Sequence, residues 1–282
     1  MNRQIRKVGK VYVPQATSDG AGVRIRRSVG TRALDYLDPF LLFDHFGSDK
    51  PDEYSAGFPT HPHRGIETVT YMLAGVVAHR DSSGNSGVIG AGDVQWMTTG
   101  SGIMHEEMPQ TREGRMEGFQ LWVNLPAAQK MSRPRYQEYP AGQIPQLARP
   151  DGTQIKVIAG EVDGVRGPVA EVAAAPVYMD VSMPAGASFV QAIPRGHTAF
   201  AYVFEGGGTF CGEEVSASHL IVFDDGDEVQ IRASDDGLRF LLISGQPLGE
   251  PVARYGPFVM NTEEEIHHAL QDLRQGTFVK TM

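Results

Sequence analysis

Four side chains in this sequence have the types and spacing needed to hold a metal ion: His61 and His63 flank Pro62, and His105 stands two positions before Glu107. In an extended segment alternate side chains share a face, so an offset of two lets both members of each pair reach one point. Pro62 favours extension at His61 and cannot sit in a central ladder, which places the first pair at a strand entrance or edge. On neighbouring strands the two pairs would converge as three imidazoles and one carboxylate. That donor set suits Fe(II), Ni, Cu, Mn, Co or Zn and leaves coordination positions open, as catalysis or redox sensing requires. A structural zinc site would recruit cysteines, and Cys211 is the only one. Taken singly, an H-x-H pair also serves as surface or capping histidines, and spacing alone leaves that reading open.

The elements that must position these residues read as strands. Segments 67–73 (ETVTYML), 94–97 (VQWM) and 119–125 (FQLWVNL) are short and rich in β-branched or aromatic residues. The clusters GNSG at 84–87 and GAGD at 90–93 supply the positive φ angles of hairpin turns. Residues 126–151 carry repeated prolines without a helical or strand period, which predicts a linker over 131–150. Strand-like segments resume at 155–159, 177–183, 200–205, 219–223, 228–233 and 238–244. The expected architecture is all-β: two tandem antiparallel barrels, 1–130 with the metal site and 151–282 without one, ending in a helix. Asn261 or Thr262 caps that helix, acidic residues 263–265 fill its first turn, and Gly276 ends it, predicting helix over 262–275.

The chain has 282 residues, long enough for one large or two ordinary domains. A net charge of −9 argues against broad attachment to nucleic acid or anionic membrane. A single cysteine forbids an intrachain disulfide. No stretch approaches the roughly 20 apolar residues of a membrane span, and the first residues lack the apolar run of a secretory signal. A cytoplasmic location is expected.

The stretch 61–109, HPHRGIETVTYMLAGVVAHRDSSGNSGVIGAGDVQWMTTGSGIMHEEMP, resembles the diagnostic core of the pirin family within the cupin superfamily. The resemblance extends to DPFLLFD at 38–44, QLWVNLP at 120–126 and GPFVMNT at 256–262. It implies a bicupin binding one transition metal ion, iron foremost, through His61, His63, His105 and Glu107. It also implies quercetin 2,3-dioxygenase activity on a flavonol with O2, with Glu107 as general base. The alternative reading it carries is a metal- or redox-responsive regulator that binds transcription or metabolic partner proteins. Glu67, the ligand of the ordinary cupin pattern, is read as a structural strand residue, and Glu106 as lying on the face opposite Glu107. Trp96 and Met97 are expected to divide between pocket and core, and Arg64 to pair with an oxygen near the metal or in a surface ion pair. In the second barrel His197 and His219 lack convergent partners, so no metal is expected there.

Overall fold

Alternating and near-continuous runs of Val, Ile, Leu, Phe and Tyr dictate sheets rather than helices, and the computed structural model is built accordingly from strands with one α-helix, Glu263–Gln275. It describes residues 3–111 and 113–280; the ends of the expected domain spans at residues 1–2 and 281–282 lie outside the described residues. All pairings between the strands are antiparallel.

The chain divides into two compact units. One takes the residues before Gln15 together with Gly142–Pro247; the other takes Gln15–Ala141 together with the chain from Leu248 onward. The expected boundaries differ from this at both ends. The terminal helix packs with the first half, where Ile266, Ala269 and Phe278 form a cluster with Phe258 and Met260. In exchange Val8–Tyr12 pairs with His219–Phe223. The segment read as a linker also carries strands: Arg135–Tyr139 pairs with Val94–Thr98, and Gln146–Ala148 with Gln154–Ala159. Prolines between these strands hide their period.

The site-bearing unit has the expected barrel-like form, built from two facing antiparallel sheets that are not joined along their edges. A seven-stranded sheet runs in the order Arg135–Tyr139, Val94–Thr98, Ile66–Ala74, Met116–Asn124, Phe40–Ser48, Val23–Val29, Gln15–Asp19. A four-stranded sheet runs Phe58–His63, Ile103–Pro109, Val77–Asp81, Ser86–Ile89. Val23, Ile25, Phe46, Met72 and Met116 of the larger sheet pack against Val77 and Ile89 of the smaller. Burying each such side chain contributes about 1.5–3 kcal/mol. That cluster fixes the spacing of the two sheets, and a cavity opens beside it.

In the other unit a nine-stranded sheet encloses a continuous apolar cluster that includes Met179, Phe189, Phe210, Ile221 and Phe240. The segments read as separate strands at 228–233 and 238–244 are one strand, Glu228–Gly245.

Candidate metal centre

The four-stranded sheet brings the chemistry together by register. His61 lies directly across from His105, and His63 across from Ile103. Along Ile103–Pro109 burial alternates, so that His105 and Glu107 face inward while Glu106 faces out to accept from the Thr60 hydroxyl at 3.0 Å. Between His105 and Glu107 the ladder slips: Glu107 stands opposite Phe58. This bulge re-aims the carboxylate relative to the histidines.

Ring nitrogens of His61, His63 and His105 all lie within 4.8 Å of one another. The Nδ1 of His61 is 2.9 Å from the Pro59 carbonyl, which can only accept, so Nδ1 carries the proton and Nε2 presents its lone pair. That Nε2 stands 3.1 Å from Nε2 of His63. Two donors at right angles on an ion with bonds of about 2.1 Å would be separated by about 3.0 Å. Both ring nitrogens of His105 are buried without a hydrogen-bond partner, a costly condition that a ligand would relieve. Burial foremost, then the neighbouring imidazoles, pushes His63 and His105 well below the ordinary histidine range, which keeps them neutral and able to donate lone pairs. The residues present therefore fit a metal ion.

Glu107 shares the cavity but is not part of the tight histidine group among the described residues. Its Oε1 accepts from the Thr70 hydroxyl at 2.9 Å, and Thr70 in turn accepts from the Gln120 amide at 3.2 Å. Three inward-facing positions on two strands are thus gathered tightly and the fourth is held beside them.

A third pair completes the sheet. His79, directly across from Glu107, is buried with its Nε2 at 3.3 Å from Asp81, its ring 5.4 Å from that of His105 and stacked on Tyr136 at 4.8 Å. His79 and Asp81 repeat the offset of two seen in the other pairs, a signal present in the sequence but not used above.

Other expected residues fall as follows. Glu67 is a buried strand residue whose Oε1 accepts from Thr98. Trp96 and Met97 are both fully buried, and neither lines the cavity. Arg64 is neither near a metal-bound oxygen nor in a surface pair: it is buried, with Nη1 2.8 Å from Asp272, Nη2 3.1 Å from the Phe278 carbonyl and its guanidinium over the Phe278 ring. The chain turns after His63, so Arg64 points to the opposite side and ties the site strand to the terminal segment. In the other unit, His219 is bonded to the carbonyls of Ser216 and Ala217.

The cavity in front of the histidines measures about 470 Å³, within the range of small-molecule sites. Ile25, Leu42, Phe46 and Phe58 give it apolar surface, and Arg27, Asp44, Trp122 and Arg254 add charged groups and an indole to the lining.

Known proteins resemble the chain over nearly its whole length. Residues 22–123 match the family model described as Pirin, and residues 178–279 the one described as the Pirin C-terminal cupin domain. A pirin-like protein of Caulobacter vibrioides is 46% identical over 275 residues, covering 97% of this chain and 99% of its own. Pirin of Homo sapiens is 43% identical over 275 residues, covering 95% of this chain and 92% of its own. The crystal structure of a quercetin 2,3-dioxygenase from Acinetobacter baumannii superposes with a TM-score of 0.90 at 35% identity, covering 99% of this chain and all of that one.

Proposed function

Since the chain belongs to the pirin family, we propose that it is a metal-dependent dioxygenase, with His61, His63, His105 and Glu107 around one transition metal ion, iron foremost, and a flavonol and O2 as substrates. The observation that carries this reading is the histidine triad gathered beside a cavity of about 470 Å³, with both ring nitrogens of buried His105 left without a partner. The quercetin 2,3-dioxygenase of Acinetobacter baumannii, alike in fold over the whole chain, supplies the substrate class.

A metal ion bound there would supply Lewis acidity toward a phenolic oxygen and the one-electron chemistry that O2 requires. The rest of the task falls to side chains of this chain. His61, His63 and His105 offer ring-nitrogen lone pairs, the last two kept neutral by burial. The Thr70 hydroxyl fixes Glu107 in the cavity, where its carboxylate takes the phenolic proton as general base. Ile25, Leu42 and Phe58 exclude water from a planar ring system.

Two measurements test this. Elemental analysis of His61→Ala and His105→Ala should show the metal lost, and full retention in both would remove the assignment. In aerobic quercetin assays Glu107→Gln should slow turnover on the order of 10² at equal metal content. An unchanged flavonol absorbance with metal-loaded wild type would end the dioxygenase reading.

A further inference from the structure

The cavity presents two guanidinium groups, and their surroundings differ. Arg27 is neutralised: its Nε and Nη2 hold the two oxygens of Asp44 at 2.8 and 2.6 Å, and Nη2 also meets Asp19 at 2.6 Å. Arg254, on the strand Ala253–Tyr255, is half-buried and, among the described residues, is in no ion pair within 4 Å. Its Nη1 donates to the Leu41 carbonyl at 3.1 Å and its Nε to the Gly256 carbonyl at 3.4 Å. Its Cζ lies over the Trp122 ring, 5.1 Å from the centroid. Carbonyls and an indole fix the plane of the group without cancelling its charge. Trp122 also meets His63 edge-on at 5.0 Å, so guanidinium, indole and imidazole form one wall of the cavity. Burial and the like charge of Arg27 disfavour the cation and outweigh the longer-range attraction of Asp35, Asp44 and Asp19, yet a guanidinium stays protonated in proteins.

A planar cation held partly out of water with no carboxylate of the described residues within ion-pair distance is a receptor for an anion, and its fork matches a carboxylate or a pair of phenolic oxygens. We propose that Arg254 is a specificity-determining residue that selects anionic, planar aromatic ligands, binding their negative oxygen while the ring lies against apolar side chains of the lining such as Leu42 and Ile25. This narrows the substrate class of the reading above and rests on it for the choice of cavity. Chemistry at the histidines would then act on a ligand already held at its charged end.

The test uses the protein as purified and a matched pair of probes, 2-naphthoate and its neutral isostere 2-naphthamide, titrated calorimetrically. Wild type should bind naphthoate about tenfold or more tightly than naphthamide. Arg254→Gln should bring naphthoate down to the naphthamide level while naphthamide binding stays within about twofold, and Arg254→Lys should recover part of the preference. Equal binding of both probes by wild type, or a preference that survives in Arg254→Gln, overturns the proposal. Should Arg254→Gln fail to fold, the wild-type guanidinium NMR signal decides: naphthoate but not naphthamide must shift the Arg254 Nε resonance, and no shift overturns the proposal. Because neither readout needs turnover, loss of quercetin cleavage with an intact naphthoate preference would strike only the dioxygenase reading.

Discussion

The carboxylate of Glu107 owes its position to a neighbour's hydroxyl, and that dependence can be separated from metal binding. Thr70→Val keeps the shape and the strand but removes the donor to Glu107. Losing one hydrogen bond of this kind costs about 1–2 kcal/mol, so on the proposed function quercetin turnover should fall roughly tenfold while metal content holds; a rate equal to wild type would show that Thr70 does not position the proposed base. At this scale the sequence exposes what depends on spacing alone. His61, His63, His105 and Glu107 stand out because offsets of two define faces, and His79 with Asp81 obeys the same rule. Arg254 is invisible to that rule, since it is more than 100 residues from the nearest histidine of the site and reaches the cavity only through the fold. The slip that sets Glu107 opposite Phe58 is equally hidden, because a bulge leaves no periodic trace.

Local elements were readable where their signals are local. The helix begins at Thr262, whose side chain accepts from the Glu265 amide while Glu265 reaches back, and it ends at Gly276 with φ of 71°, both within a residue of the expected positions. What the helix packs against was not readable, because its amphipathic face does not name a partner. The contacts that dock it converge on the turn after the histidine pair. Lys130, buried, donates to the Gly65 and Val259 carbonyls and to Asn124, and burial lowers its pKa to about 8. Gly65 adopts φ of 81°, and a Cβ there would stand 2.0 Å from the Val259 carbonyl oxygen, so only glycine permits the approach. Asp272 adds a dependence on pH. Burial pushes its carboxyl up, but hydrogen bonds from Lys280, Arg64 and Thr277 outweigh that and hold it at about 2. A carboxyl depressed in the folded state stabilises fully above its unfolded value near 4 and ceases to as pH falls from there toward 2. Amide exchange in Glu263–Gln275 should therefore quicken over that window in wild type and lose the step in Asp272→Asn; an identical pH profile in both would exclude this origin.

The molecule as a whole consists of two units that exchange ends, and the histidine site depends on the exchange. A chain ending at Pro247 keeps the apolar cluster of the nine-stranded sheet intact. It lacks Phe258, Met260, Ile266 and Phe278, whose burial comes to roughly 6–12 kcal/mol, as large as the stability of a typical domain at about 5–15 kcal/mol. Such a chain should show dispersed NMR signals for residues 142–247 and collapsed ones for the histidine-bearing half, whereas two folded sets would refute the dependence. The sequence suggests tandem domains because its prolines fall between them, and the prolines carry no information about where the ends return. The same exchange imposes an order on biosynthesis. The histidines leave the ribosome long before the segment that supports their turn, and Gly142–Pro247 must be polymerised in between, a delay of roughly 5–20 s at about 5–20 residues per second. The nascent half waits incomplete through that interval, so the histidine site is completed only after Gly142–Pro247 has been made, and on the proposed function metal would be taken up after translation of the supporting segment.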